Sequence, residues 1–292
     1  VALEQQFEHV LQFIDEHLSE NLSLALLADK AGVPVNHFEF IFHSLYHTQF
    51  KDYLSLLRNM EAAQTLSFDK SVGIEHVAQI AGYASTTAFV DGFTLSIGQS
   101  PESFRQAPNW ANFFAKQQPL KTLSEGHEQL GYLDANIRIE TLEELELLMI
   151  EHRGPALYVY QSIQALIAFR KAHSLLPSQQ RTFNFIYSLP QDHSYNYSID
   201  IGVNVSQAQL SALQKVLSGS AHFKVKTLSK GRYAVLSHNG SQDELNGKIK
   251  YLYGTWLTKM NYQLREQPLT FERFDMGNDD ENVNLKIYLA IT

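Results

Sequence analysis

A six-residue pattern occurs twice in the first hundred positions of this chain. Leu27-Ala28-x-x-Ala31-Gly32 recurs as Val77-Ala78-x-x-Ala81-Gly82, a spacing of 50. Beyond the turn, Phe38-x-x-x-Phe42 recurs as Phe89-x-x-x-Phe93 at a spacing of 51, so the second copy carries one extra turn residue. Small alanines let two helices approach, and glycine admits the left-handed backbone between them. One such turn alone is an ordinary helical hairpin. Two copies joined by a long helix specify a tandem of helix-turn-helix units.

The flanking periodicity agrees. Leu3, Phe7, Val10, Leu11, Ile14 and Leu18 fall at helical spacing. Ser23 is a candidate N-cap for a helix at Leu24–Ala31, and Phe38, Ile41, Phe42 and Leu45 share one face of a helix at Val35–Tyr46. Residues 51–66 read as the linking helix and 74–81 as the next. Ser85 is a candidate cap for Thr86–Ile97. Around Pro108 and Asn109 the pattern predicts a short helix that buries Trp110 and Phe114, then a break at Gln117-Gln118-Pro119. These signals divide the chain into a helical domain at 1–108, a linker at 109–125 and a second domain at 126–292.

Charge is distributed unevenly. Residues 1–110 hold five Lys and Arg against thirteen Asp and Glu, so the whole net charge of −8 resides there. The remainder balances. Six histidines in this half (His9, His17, His37, His43, His47 and His76) add charge only below about pH 6.5. His43 and His47 have a spacing that suits zinc, but no third ligand lies within sequence reach, and no metal is expected.

From about residue 136 the period changes to that of strands. A strand through Leu147–His152 meets a turn at Arg153-Gly154-Pro155, followed by a helix near 157–171 with Tyr160, Ile163, Ile167 and Arg170 on one stripe. Strands near 182–187 and 197–205 follow. The same order returns about 86 residues later, with a strand through Arg232–His238, a helix near 243–259 and strands near 270–274 and 284–291. His152 then corresponds to His238, and Asp200-Ile201 to Lys286-Ile287. A duplicated strand–helix–strand–strand unit pairs with itself about a pseudo-twofold axis, and the groove between copies is a favoured ligand position. The expected fold is therefore an all-α double helix-turn-helix domain followed by an α+β domain of two pseudo-symmetric repeats.

Residues 5–105 resemble the DNA-binding domain of the AraC/XylS family of bacterial transcription regulators. The resemblance rests on Ile74-x-x-Val77-Ala78-x-x-x-Gly82-Tyr83-x-Ser85-x-x-x-Phe89, on Phe93, and on Gly98-x-Ser100-Pro101-x-x-Phe104-Arg105. It implies DNA contacts by Asn36, His37, Phe40, His43, Lys51 and Arg58 in the first unit, and by Ser85, Thr86, Thr87 and Asp91 in the second. The chain departs from the family at the contact positions. Phe40 and Asp91 stand where arginine is usual, with His43, Thr94 and Leu95 at other commonly basic positions. Neither recognition helix can make the Arg–guanine contact that most often reads sequence.

Residues from about 136 to 292 resemble the GyrI-like effector-binding domain. The matching segments are His152-Arg153-Gly154-Pro155, Gly231-Arg232-Tyr233-Ala234-Val235, Leu252-Tyr253-Gly254-x-Trp256-Leu257, Tyr262-x-Leu264-Arg265, Phe271-Glu272-Arg273 and Ile287-Tyr288-Leu289. The resemblance implies a cleft lined by aromatics and carboxylates, suited to bulky organic cations. The candidate rings are Tyr187, Tyr197, Trp256, Phe271 and Tyr288; plain core is the alternative for each. The family's frequent Glu before Ile-Tyr is Lys286 here. Strand alternation aligns Asp200 with Lys286 across the pseudo-twofold, which suggests an ion pair facing the cleft, or two side chains pointing to solvent. An ion pair there would make a neutral or anionic aromatic ligand possible, with Glu272 restoring acidity.

No nucleophile elbow, phosphate loop, dinucleotide fingerprint or zinc-protease motif occurs. The acidic stretch 275–281 reads as a solvated loop. Cysteine is absent, which removes disulfides and thiolate chemistry and agrees with a cytoplasmic location. No window approaches a membrane span. The expected protein is a non-enzymatic, cofactor-free regulator that binds DNA and a small organic ligand. The alternative is a binding protein whose acidic helical domain meets RNA polymerase or another basic protein.

Overall fold

A computed structural model describes residues 3–116, 136–189, 196–220, 222–274 and 283–292. They fall into two compact units, one on each side of residues 117–135. The break expected at 117–119, the expected domain start at 126 and the acidic stretch 275–281 lie outside the described residues.

The first unit is helical: α1 (Leu3–Glu16), α2 (Leu24–Ala31), α3 (Val35–Tyr46), α4 (Phe50–Phe68), α5 (Ile74–Ile80), α6 (Thr86–Ile97), α7 (Pro101–Gln106) and α8 (Trp110–Lys116). Ser23 accepts a hydrogen bond from the Leu26 amide and Ser85 from the Ala88 amide, so both expected N-caps form. The two phenylalanine pairs are equivalent core elements. Phe38 packs on Phe42 with ring centroids 5.9 Å apart, and Phe89 on Phe93 at 5.5 Å. The long α4 joins the two copies. Tyr83 donates to Asn59 at 2.7 Å, and Arg58 donates from Nε to the Leu18 carbonyl at 3.0 Å and from Nη2 to the Glu20 carbonyl at 2.9 Å. Gly82 lies beside this arginine with φ +70°, where a Cβ would come within 2.3 Å of the Leu18 oxygen. In α8 the buried ring is Phe113; Phe114, expected inside, is 59% exposed and stacks on Trp110. Only one face of so short a helix can reach the core, and Phe113 occupies it.

The second unit contains β1 (Arg138–Leu142), β2 (Leu145–Gly154), α9 (Val159–Ala172), β3 (Thr182–Ile186), β4 (Tyr197–Asn204), α10 (Gln207–Ser218), β5 (Phe223–Leu228), β6 (Gly231–Gly240), α11 (Gln242–Tyr251), α12 (Leu257–Met260), β7 (Leu269–Arg273) and β8 (Val283–Ile291). One sheet runs β1-β6-β8-β7-β3-β4-β2-β5. Its halves share a register. Glu151 faces Asp200 between β2 and β4, and Ser237 faces Lys286, each 86 residues on, between β6 and β8. The axis passes between β3 and β7, where Asn184 faces Phe271.

Three features escaped the sequence pattern. Helix α10 and strand β5 lie between the two expected copies. The edge strands are also exchanged: β1 precedes β2 but pairs with β6, and β5 precedes β6 but pairs with β2. The expected stripe on α9 is corrected too. Tyr160 and Ile163 are exposed, while Leu166 and Arg170 turn to the sheet. The first turn before α9 is a 3-10 segment at Ala156–Tyr158, so the helical phase starts later than expected.

Candidate functional site

Side chains alternate across the sheet, and helices cover one face. Helix α9 packs on β2 and β4, α11 packs on β6, and Leu210 and Leu213 of α10 join Leu148 and Val203. The opposite face holds a second apolar cluster, with Met149, Phe183, Phe185, Tyr233, Val235 and Tyr288 at its centre. Residues that share a cross-strand row with these must project to the same side. The rows contain Glu151, Asp200 and Phe185, then Thr270 and Tyr288; the neighbouring row contains Phe183, Glu272 and Lys286. Gly202 belongs to this second row, across from Met149 and Phe183, and a Cβ there would lie 2.2 Å from the Leu148 carbonyl, so β4 approaches β2 closely at this point.

Two carboxylates on this face are buried, and each is held by cations of the chain. Asp200 is fully buried. Tyr187 donates its hydroxyl to Asp200 Oδ2 at 2.6 Å, and Lys226 Nζ donates to the same oxygen at 2.7 Å. Arg153 Nη2 lies 2.7 Å from Oδ1, a charge contact off the hydrogen-bond direction. Lys226 also bridges to Glu151. The Arg153 guanidinium lies 4.9 Å from the Tyr187 ring centre. In the second network, Arg181 clasps both oxygens of Glu272, with Nη2–Oε2 at 2.8 Å, and Tyr288 donates to Oε2 at 2.6 Å. Burial pushes the Tyr187 and Tyr288 hydroxyls well above the ordinary phenol value, and their carboxylate partners reinforce the shift. Both therefore remain donors.

The sequence-derived ligand residues divide between the two faces. Tyr187, Asp200, Glu272, Lys286 and Tyr288 share the face without helices. Tyr197 is three positions from Asp200 and Phe271 is adjacent to Glu272, so both project to the helical side. Tyr197 there is 6.4 Å from the His152 ring, and burial raises its hydroxyl to about 12. Trp256 closes a one-turn π segment, Leu252–Trp256, and stacks on Tyr262 at 5.6 Å. These three rings belong to the packing of the helical side. The expected Asp200–Lys286 pair does not form. The twofold equivalence holds, but β4 and β8 are three strands apart, about 14 Å at ordinary strand spacing. Asp200 takes its partners from β2 and β5 instead. Sequence reasoning missed Arg153, Arg181 and Lys226 as members of this site; alternation along β5 would have flagged Lys226 once that strand was known.

Burial works to raise the Glu272 carboxyl, but the hydrogen bonds from Arg181 and Tyr288 and the charges of Arg181 and Lys286 outweigh it. The net position is below the ordinary glutamate value. A carboxylate depressed on folding stabilises the fold above its unfolded value, and that stabilisation disappears as pH falls through the folded value. The melting temperature of the sheet unit is therefore expected to fall on acidification below about pH 5, and Glu272→Gln to flatten part of that fall. Superimposable wild-type and variant profiles would contradict the ionised Glu272 network.

In the helical unit, α6 presents an exposed face of Ser85, Thr87, Asp91, Thr94 and Leu95, with Thr86 half-buried. Leu95 is 84% exposed, and the face carries no cation. Helix α3 differs. His37 and Phe40 are buried, so these two expected DNA contacts are corrected: neither side chain is open to a groove. Asn36 and His43 are half-buried, and Lys51 is exposed in the first turn of α4. Arg58 is also corrected, because its guanidinium is committed to the Leu18 and Glu20 carbonyls. Among the described residues no group of three His, Asp or Glu could hold a metal ion, and no helix is long and apolar enough to cross a membrane.

Comparison with known proteins assigns both units. A family model described as a GyrI-like small molecule binding domain matches residues 135–292, and one described as a helix-turn-helix domain, of AraC type, matches residues 27–107. The probable transcriptional regulator YgiV of Escherichia coli K12 is 24% identical over 164 residues, which is 54% of this chain and 98% of YgiV. Its counterpart in Escherichia coli O157:H7 is 23% identical over 163 residues, again 54% and 98%. Among solved structures, the DNA-binding domain of AdpA in complex with a target DNA is 26% identical, covers 36% of this chain and 93% of its own, and gives a TM-score of 0.33. The C-terminal domain of EcmrR is 11% identical, covers 53% and 96%, and gives 0.39.

Proposed function

This chain belongs to the GyrI-like small molecule binding domain family, and from that premise we propose that it is a ligand-responsive transcription regulator. The carrying observation is the presence, in one chain, of that unit and an AraC-type helix-turn-helix unit. The helix-free face of the sheet receives a small aromatic or amphipathic molecule, and the tandem helix-turn-helix contacts DNA. Rings on that face supply flat apolar area, and its charged groups orient the ligand. Regulation follows if the ligand binds one state of the chain better than another, since only differential affinity shifts an equilibrium. The chemistry is binding: the two buried carboxylates of the face, Asp200 and Glu272, are each already engaged with a cation and a tyrosine hydroxyl.

A second reading is favoured by α6. A cation-free surface of Thr87, Asp91, Thr94 and Leu95 repels phosphate and suits a protein partner, such as a basic surface of RNA polymerase or of another regulator. Fluorescence anisotropy of the full chain with labelled DNA from upstream of its own gene separates the two, at about 50 mM and 200 mM salt. DNA reading should give selective binding with a shallow salt slope of about one phosphate, because Lys51 is the one cation among the expected contacts whose side chain is exposed and uncommitted to the fold. No binding at low salt, even near pH 5.5 where exposed histidines are charged, would retire direct DNA recognition.

A further inference from the structure

The two carboxylate networks of the helix-free face leave one lysine beside them without an ion pair among the described residues. Glu151 and Asp200 are matched by Arg153 and Lys226. Glu272 is matched by Arg181, which holds both of its oxygens. On β7 and β8, Lys286 is left over. It stands directly across from Glu272 in the β7–β8 register, yet that carboxylate is turned to Arg181 and Tyr288, and Lys286 forms no ion pair among the described residues. Its ammonium instead lies 5.9 Å from the ring centre of Phe274, which is 50% exposed. The pseudo-twofold sharpens the contrast. The same position in the other half is Asp200, fully buried and held by two cations and a tyrosine.

We infer that the ligand of this face is an aromatic anion, a carboxylate or sulfonate on a ring system, and that Lys286 pairs with its charged group while its rings lie against Phe274 and the neighbouring aromatic floor. The assignment rests on the small-molecule reading above and adds the ligand's charge. A cation beside Phe274 would have to approach Lys286, and the carboxylate across from it, Glu272, is already held by Arg181 in a two-point contact, which is the stronger geometry. An anion gains a half-buried ammonium that holds no ion pair among the described residues, where low surrounding polarity strengthens the pairing. The ring beneath provides apolar area for the rest of the molecule.

The test titrates the full chain with two fluorescent aromatics of opposite charge, 8-anilinonaphthalene-1-sulfonate and rhodamine 6G, against wild type, Lys286→Met and Lys286→Glu. Circular dichroism melts first establish that each variant is folded. Wild type should bind the sulfonate more tightly than the rhodamine, and salt should weaken the sulfonate. Lys286→Met should weaken sulfonate binding several-fold, and Lys286→Glu by about tenfold or more, with rhodamine then preferred. Rhodamine bound by wild type as tightly as the sulfonate would overturn the anion assignment but leave the face as a receptor. Sulfonate affinity unchanged in Lys286→Glu would also overturn it, because the dye would then sit elsewhere. If folded wild type binds neither dye, the small-molecule reading falls with it.

Discussion

Asp200→Ala is expected to lower the stability of the sheet unit by about 3 kcal/mol, toward the lower end for removal of one partner from a buried ion pair. The reason is the company Asp200 keeps. Its removal leaves Arg153 and Lys226 as close like charges with only Glu151 between them, and leaves the Tyr187 hydroxyl without its acceptor. The effect is moderated because the Arg153 and Lys226 side chains are 44% and 24% exposed and can turn toward water. Lys226→Met removes one cation and keeps Arg153 on Asp200, so it should cost less, about 1 kcal/mol. The chain has two tryptophans, Trp110 in the helical unit and Trp256 in the sheet unit. Urea unfolding followed by Trp256 emission in a Trp110→Phe background therefore reads this unit alone. Equal shifts for the two substitutions would mean that Asp200 does not hold both cations.

Gly82→Ala is expected to destabilise the helical unit by about 3 kcal/mol, from left-handed backbone and steric conflict together. The alanine methyl would meet the Leu18 oxygen at 2.3 Å and the Arg58 guanidinium at 2.7 Å. Those two groups are hydrogen-bonded to each other, so the methyl pushes apart the strut that ties α4 to the end of the first helix. The equivalent Gly32→Ala is the internal control. Its φ is +65°, but the nearest atom to the added carbon is Gln6 Nε2 at 3.5 Å. Only the backbone cost remains there, about 1 kcal/mol. Trp110 emission in a Trp256→Phe background measures both. Equal losses would show that the Arg58 strut yields without cost.

The helical unit was legible because its determinants are local. Ser23 and Ser85 cap, the glycines turn, and the Phe38/Phe42 and Phe89/Phe93 pairs repeat within single helices. The burial of His37 and Phe40 was not legible, since helical spacing names a face but not what covers it. In the sheet unit, the 86-residue offset correctly aligned Asp200 with Lys286, yet equivalence is not contact. The edge exchange was hidden for the same reason: β1 and β5 look like ordinary leading strands until their partners are known. Helix α10 had a readable signal in Ser206 and Gln209, which form a capping box, but the repeat drew attention past it. Arg181 and Lys226 joined the site through pairings 91 and 26 residues away, a distance at which sequence pattern carries no register.

The exchanged edge strands impose an order on synthesis. Arg138 of β1 pairs with Val235 of β6, about a hundred positions later, so the first half of the sheet is made with one edge strand idle and the other still missing. The half β3-β4-β2-β5 closes only when β5 emerges, while β1 waits for β6 and the central β3–β7 seam waits for β7. Closure of such distant pairings is slow compared with helix formation. The helical unit, built from neighbours in sequence, can reach its final form while the receptor is still an open clasp. A nascent chain thus acquires its helical unit first and its closed sheet last.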